Sequence, residues 1–449
     1  MLHALFTAAL TTVLLSADPA IPAGTQLNYR GTIEARAEEA GKPRKAFDLT
    51  LWITRADEAG AELIWLVDER GRGEFPWIER FGRLGLDAAW GSNADGPAVL
   101  YDRGEGRNTV AIPLPFLADD KPLAAGLEFR AGKLEFHVDK LGKTADQPAW
   151  QVSARDPFGP KRMLWIDPKS PLALALTEKL TMGRGEEYQL RLDLATREQV
   201  QAESLAALSG ALDKLLALRT KLSLPPRAQQ VEWSPEQAAL LREQLPAVED
   251  AARGTPLATL LTAALRALAV QSGRNDAVAE MASKFEGHDV EEFSVKGPAG
   301  ESLGRADLNG HVTVLHFWDY RDEPLKEPYG QVGYLEFLYH RRKAAGVQVY
   351  GVAVDGRLAD EKTRAAAERG VRKLKSFMNL SYPLVLDSGV LLKQFGDPRP
   401  LGASLPLFVV VGPQGKILHY HVGTYEVHQD QGLKELDQVI GRALEVAKP

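Results

Sequence analysis

The spacing of apolar residues changes twice along this chain of 449 residues, and each spacing permits a different kind of structure. Over residues 24–195 apolar and polar residues alternate, most clearly at 188–194, which predicts strands with one apolar face. Over 196–284 apolar residues recur every three or four positions, which predicts helices. Over 285–449 short apolar runs alternate with helical segments, which predicts a mixed sheet covered by helices. We therefore expect a multidomain α+β protein with an antiparallel β domain, a helical connector and a C-terminal α/β domain.

Turn and capping residues mark the ends of several of these elements. Residues 156–159 read Asp-Pro-Phe-Gly and predict a hairpin turn between two strands. Ser234 starts a capping box with proline at the first helical position, so a helix should begin there. The Ser-Gly pair at 272–273 is expected to stop a third helix, which would run from Leu257 to about Val270.

Charge and residue content exclude several classes of function. The chain has 54 basic and 60 acidic residues, and the net charge of −6 does not suit a nucleic-acid partner. It contains no cysteine, so no disulfide, thiolate metal site, iron–sulfur cluster or cysteine nucleophile can form within it. Motifs typical of phosphate loops and hydrolases are also missing from the sequence. We expect no cofactor and no nucleic-acid partner.

The first 17 residues have the pattern of a signal peptide. An uncharged apolar run at 4–15 is followed by the small residues Ser16 and Ala17. The run is shorter than the ~20 residues that a membrane-spanning helix needs, and no later segment reaches that length. We expect export to the periplasm or cell envelope, with no membrane span after leader removal. A leader that stays attached as an anchor, or a buried first helix, is the alternative.

Three segments of the last block share a further pattern. Residues 307–318 read DLNGHVTVLHFW, residues 382–387 read YPLVLD, and residues 405–417 read LPLFVVVGPQGKI. In the same order they resemble the strand before the CxxC motif, a middle strand, and the cis-proline segment of redoxin and TlpA-type thioredoxin domains, which are related to AhpC/TSA proteins. The resemblance implies a thioredoxin-like fold for 285–449 and kinship with thiol-disulfide oxidoreductases.

The two cysteine positions of that family are occupied by other residues here. The resemblance places Asp322 at the attacking cysteine and Leu325 at the resolving cysteine. In the family the attacking cysteine lies at a helix N-terminus, which lowers the thiol pKa. A carboxylate there can cap the helix, but it cannot exchange disulfides. The resemblance therefore implies no catalytic residue and the loss of thiol chemistry.

A binding groove is the part of the family site that this sequence retains. In the family the cis-proline loop and the helix tip form a surface that meets an extended peptide. The matching positions are Trp318, Tyr320, Arg321, Asp322, Glu323, Leu405 and Pro406. We expect a protein or peptide partner in this groove; the alternative is a cap and a turn that only hold the fold.

The main functional expectation is a pseudo-enzyme, an exported binding or scaffolding module of the cell envelope. One alternative is an enzyme with disulfide or peroxide chemistry that uses a cysteine of a partner. Another is a carrier of hydrophobic ligands, because Trp150 and the segment 163–168 resemble curved-sheet exported proteins of the lipoprotein-carrier type. His419 and His421, on one face of a predicted strand, are weak metal candidates; without a third ligand we expect no metal site.

Overall fold

The computed structural model describes most of the chain in two units, Met1–Ala269 and Val270–Pro449. The described residues are 21–35, 44–69, 80–92, 94–102, 107–117, 122–183, 185–223, 233–320 and 331–446. The predicted leader, residues 1–17, lies outside them. Among the described helices, none combines the length and the apolar character that crossing a bilayer requires.

Strands dominate the first unit. They are β1 Thr25–Ala35, β2 Lys45–Asp57, β3 Gly60–Glu69, β4 Phe81–Asp87, β5 Ala98–Asp102, β6 Arg107–Ala111, β7 Glu128–Ala131, β8 Leu134–Thr144, β9 Gln147–Asp156, β10 Gly159–Ile166, β11 Ala173–Met182 and β12 Glu186–Gln199. Ten of the described strands form one antiparallel sheet in the order β4-β3-β2-β1-β12-β11-β10-β9-β8-β7, and β5 pairs with β6. The predicted antiparallel β domain is confirmed, as is the hairpin between β9 and β10.

Alternation along each strand explains why the sheet has a buried face. In β1, Leu27, Tyr29 and Ile33 point to the same side and are buried, while Asn28, Arg30 and Thr32 keep some contact with solvent. The Tyr29 hydroxyl donates a hydrogen bond of 2.7 Å to the carbonyl oxygen of Ala173, so its polar end is satisfied inside the core.

Three helices cover the other face of part of this sheet. They are α1 Ala202–Leu222, α2 Pro235–Ala252 and α3 Leu257–Phe285. Within the first unit, Leu212 and Leu245 of these helices join one apolar cluster with Trp52, Ile64 and Phe81 of the sheet. Strand β3 is therefore buried on both faces, which explains its nearly continuous apolar run.

The predicted end of the third helix is wrong. Helix α3 does not stop near Val270 but continues through Gly273 to Phe285. A glycine inside a helix costs only about 1 kcal/mol relative to alanine. That cost is offset farther along, where Met281 and Phe285 pack against the core of the second unit.

A mixed sheet forms the second unit. Its elements are β13 Ser294–Lys296, β14 Ser302–Gly304, β15 Thr313–Asp319, α4 Val332–Arg342, β16 Gln348–Val354, α5 Glu361–Phe377, β17 Leu384–Asp387, α6 Val390–Gln394, β18 Leu407–Val411, β19 Ile417–Val422 and α7 Lys434–Val446. The main sheet has the order β17-β16-β15-β18-β19, with β15, β16 and β17 parallel and β18 and β19 antiparallel.

Helices cover both faces of this sheet. On one face Val314 and Trp318 of β15 join a cluster with residues of α4, α5 and α7. On the other, Leu315 and Phe317 join residues of α6 and the last turn of α3. This is the thioredoxin-like α/β fold that the resemblance implies, so the expected fold of this region is confirmed.

We predict that the capping box of α2 contributes measurably to stability. The Ser234 hydroxyl accepts from the Gln237 amide at 3.2 Å, and the Gln237 side chain accepts from the Ser234 amide at 3.0 Å. Changing Ser234→Ala should lower the unfolding free energy of the first unit by about 1 kcal/mol. Urea unfolding followed by tryptophan fluorescence reports on this unit, since Trp318 is the only one of the eight tryptophans after Ala269.

The control for this change is Thr262→Ala. Thr262 is exposed in α3, and its hydroxyl donates to the Ala258 carbonyl oxygen at 3.0 Å, so the change also removes a hydroxyl hydrogen bond. It should leave stability equal or raise it by a few tenths of a kcal/mol, because alanine has the higher helix propensity. Equal effects of the two changes would contradict a capping role for Ser234.

Candidate functional site

Strands β15 and β18 bring together residues that are far apart in the sequence. Phe317 pairs with Leu407, so the antiparallel register, continued by one residue, sets Trp318 beside Pro406. The Leu405–Pro406 peptide bond is cis, and the Pro406 carbonyl oxygen accepts from the Gly423 amide at 2.7 Å. The structure thus places Trp318 and Pro406 side by side at one end of the sheet.

The two aromatic residues of the predicted groove have different environments. Trp318 is only 1% exposed and belongs to the core, so it supports the site from below. Tyr320 is half-buried, and its ring meets the Trp318 ring edge-on at a centroid distance of 5.7 Å. The Tyr320 amide donates to the Val354 carbonyl oxygen at 3.1 Å, which holds the end of β15 against β16. Of the two rings, Tyr320 is the one accessible to a partner.

Four predicted positions cannot be placed. Arg321, Asp322, Glu323 and Leu325 lie outside the described residues, which end at Tyr320 and resume at Gln331. Their assignment to the groove and to the two cysteine positions of the family stays a prediction.

The main-chain groups of Leu405, the residue before the cis-proline, have no hydrogen-bond partner among the described residues. Leu405 is half-buried, and within the part of the chain that the structure describes its N–H and C=O make no hydrogen bond. Strand β18 begins two residues later, at Leu407. An extended segment of another chain could therefore pair with Leu405 and lengthen the hydrogen-bonded ladder locally.

An ion-pair group that the sequence did not predict lies at the same end of the sheet. The Arg399 guanidinium is 3.2 Å from Asp319 Oδ1 at the end of β15, and it also contacts Asp397 at 2.7 Å. Hydrogen bonds from Arg399 lower the pKa of Asp397 below its usual value. Arg399 thus ties the loop that precedes Leu405 to β15. Only the local Asp-Pro-Arg sequence hinted at this, because Asp319 is distant in the chain.

The two candidate metal histidines are engaged with an aromatic residue. His419 and His421 lie on one face of β19, with ring centroids 6.3 Å apart. His419 Nε2 is 2.9 Å from the Tyr425 hydroxyl, and the His421 ring stacks on the Tyr425 ring at 4.0 Å. Buried Gln331 holds Tyr425 through both main-chain groups, at 2.6 and 2.9 Å.

Burial keeps both of these histidines neutral near pH 7. It lowers the pKa of His421 to about 4, with a further contribution from His419. Burial also lowers the pKa of His419, although Glu286, with its carboxylate 3.7 Å away, opposes this. Across the described residues, no group of three or more histidine, aspartate and glutamate side chains is placed to hold a metal ion.

A separate cavity lies in the first unit. It has a volume of about 780 Å³ and is formed by strands β7 to β12. Its lining combines the apolar residues Phe129, Phe136, Ala154, Pro160 and Met163 with charged side chains, namely Glu128, Arg130, Glu135, Arg155, Lys161, Arg162, Glu178 and Lys179. The apolar face of the sheet is packed instead by side chains of the unit itself, among them Val99, Tyr101 and Phe116. The carrier alternative stays a prediction.

We predict that acid destabilises the second unit through these histidines. Because their pKa values in the folded state lie below the ordinary value of 6.5, the unfolded chain binds protons first as the pH falls. Stability should be full above about pH 6.5 and decline toward pH 4, by at most about 1.4 kcal/mol per pH unit for each histidine. The pH dependence of stability can be measured by denaturant unfolding at several pH values, with hydrogen exchange of the β19 amides as the signal for the second unit.

Replacing one of the two rings tests the cause. His421→Phe keeps the stack on Tyr425 and should flatten the acid dependence between pH 6.5 and 4. The matched control is His311→Phe at an exposed histidine, which should keep the slope of the original protein. An unchanged slope in His421→Phe would refute the assignment.

Comparison with known proteins gives one family match. Residues 287–420 match the model of the AhpC/TSA family. A comparison with curated proteins finds no match.

Similar solved structures align with about a third of the chain. A candidate thiol:disulfide interchange protein DsbE from Chlorobium tepidum is 23% identical over 35% of this chain and 97% of its own, with a TM-score of 0.27. A candidate thioredoxin from Neisseria meningitidis is 22% identical over 35% of this chain and 89% of its own, with a TM-score of 0.27. A secreted disulfide oxidoreductase from Mycobacterium tuberculosis is 18% identical over 33% of this chain and 95% of its own, with a TM-score of 0.25.

The family match covers the region where the strand order and the Leu405–Pro406 bond had already indicated the fold. Residues 287–420 therefore combine a thioredoxin-like fold with a match to the AhpC/TSA family model, in a chain that contains no cysteine.

Proposed function

We propose that the second unit binds an extended segment of a partner protein beside Leu405 and carries out no thiol chemistry. The observation that carries the proposal is a thioredoxin-like domain in a chain without a single cysteine. Disulfide exchange and peroxide reduction by thiols both require a thiolate. A domain that keeps its fold after losing its nucleophile retains only its surface for function.

The main chain of Leu405 supports a strand-like mode of binding. Its two unused hydrogen-bonding groups can pair with an extended peptide, and pairing of this kind gives affinity without a dedicated side-chain motif. Tyr320 and the half-buried side chain of Leu405 offer apolar contact to alternate residues of such a peptide. The Asp319–Arg399 pair, with both side chains about 38% exposed, lies at the edge where charged groups of a partner would arrive.

A location in the periplasm or cell envelope is part of this proposal. Its support is the apolar, uncharged run in the first 17 residues. The partner would then be another exported or envelope protein.

An enzyme that borrows a cysteine from a partner is the second candidate, and the family match favours it. The two candidates differ in one measurable respect. A binding module has no turnover with or without its partner, whereas a cysteine-borrowing enzyme reduces disulfides or peroxide once the partner is present.

We predict that the purified chain reduces neither insulin nor hydrogen peroxide above background in the presence of dithiothreitol. The double change Asp322→Cys with Leu325→Cys should restore a pair of thiols at the family positions. We expect these to oxidise to an intramolecular disulfide, seen as the loss of two free thiols by mass spectrometry.

A single-cysteine variant is the control for this experiment. The single change Asp322→Cys cannot form the intramolecular bond and should keep one free thiol. Turnover by the original protein would overturn the non-catalytic proposal, and failure of the double variant to oxidise would contradict the assignment of Asp322 and Leu325.

We predict that unstructured peptides selected on the full-length chain bind at Leu405. The change Leu405→Lys should weaken their binding at least about tenfold, because it introduces a charge where a neighbouring strand must approach; tenfold corresponds to about 1.4 kcal/mol. The matched control is Leu418→Lys, at an exposed leucine of β19, which should bind like the original protein. Equal affinity of Leu405→Lys and the original protein would contradict this site.

A further inference from the structure

The outward face of α5 carries an unusual set of cations. Ala367, Val371 and Leu374 are buried, and the helix repeat of 3.6 residues sets the opposite side toward solvent. That side carries four exposed cations, namely Lys362, Arg369, Arg372 and Lys373. They form a stripe along about three turns of the helix.

Carboxylates do not balance this stripe. The two acidic residues of α5, Glu361 and Glu368, lie to one side of it rather than within it. Among the described residues, Lys362, Arg369 and Lys373 have no ion-pair partner, and Arg372 donates only to the Pro298 carbonyl oxygen, at 2.8 Å. A charged helix face in a soluble protein usually mixes both signs. In a chain of net charge −6, an uncompensated basic stripe is a local exception.

Exposed aromatic side chains lie on the same side of the unit. Tyr334 and Phe337 of α4 are 38% and 52% exposed, and Phe377 at the end of α5 is 72% exposed. The two helices are neighbours on one face of the sheet. The hydroxyl of Ser381, just after α5, donates a hydrogen bond of 2.6 Å to the Glu336 carboxylate of α4. Three large aromatic residues are therefore exposed on two neighbouring helices, one of which carries the four cations, and together these features indicate an interaction surface.

We propose that this surface, formed by the outward faces of α4 and α5, docks the protein on a membrane rich in anionic phospholipid. Lipid headgroups of negative charge attract the stripe, and each lysine or arginine near such a surface strengthens binding about fivefold. Aromatic rings favour the boundary between headgroups and acyl chains. The rings stand on convex helix faces, which suits a deformable bilayer better than the shaped pocket of a protein partner.

Flotation of vesicles with the purified full-length chain tests this proposal. Vesicles of phosphatidylcholine with 30% phosphatidylglycerol should bind the protein at low salt, and vesicles of phosphatidylcholine alone should not. Binding should weaken as the salt concentration rises, because the Debye length shortens. The double change Arg369→Glu with Lys373→Glu should weaken binding at least about 25-fold, and Phe377→Ser should weaken it separately while leaving the charge unchanged.

The matched control reverses two other exposed helical cations. Lys214→Glu with Arg266→Glu changes the net charge by the same amount on helices of the first unit, so vesicle binding should stay within about fivefold of the original protein. Circular dichroism verifies that all variants fold. Equal losses in both double variants, equal binding to neutral vesicles, or no binding to anionic vesicles would overturn the proposal. Capture of an acidic polypeptide by the stripe, with no vesicle binding, would assign the surface to a protein partner instead.

Discussion

The pairing of β15 with β18 is the constraint on which the rest of the second unit depends. Main-chain hydrogen bonds alone could form in several registers, so the register must come from side-chain burial. Trp318 and Phe317 point to opposite faces, and each enters a different apolar cluster. A slip of one residue would exchange the two faces and expose one cluster to the wrong helices. Burial therefore fixes which residue lies beside Pro406.

Much of this architecture could be predicted from the sequence because it depends on local pattern. Alternation predicted the large sheet, and the Ser234 capping box predicted the start of α2. The end of α3 could not be predicted in the same way. Gly273 weakens the helix by about 1 kcal/mol, whereas complete burial of an apolar side chain contributes roughly 1.5–3 kcal/mol, and the partly buried Met281 and Phe285 each supply a share of that amount. The deciding contacts are made with residues distant in the sequence, among them Tyr420, whose ring stacks on Phe285 at 5.3 Å.

The candidate site likewise contains features that the sequence predicts and contacts between distant residues that it does not. Resemblance placed Leu405 and Pro406 near Trp318, and the register of two strands gives that proximity a physical cause. The Arg399 contact with Asp319 could not be read from the sequence, because a loop sets the distance between them. The link from His419 to Tyr425 also escaped prediction. The spacing of His419 and His421 is a local signal of a metal site. In the structure both rings instead contact Tyr425, which lies in the loop after β19.

The edge strand β7 of the large sheet affects the solubility of the protein. Within the described residues, one of the two edges of the sheet is β7, a strand of four residues that alternates exposed Glu128 and Arg130 with less exposed neighbours. Short, charged border strands discourage a second molecule from adding its own strand and starting an aggregate. The β7 edge of the largest sheet is thereby protected against the addition of a further strand, whereas the main-chain groups of Leu405 in the second unit have no hydrogen-bond partner among the described residues.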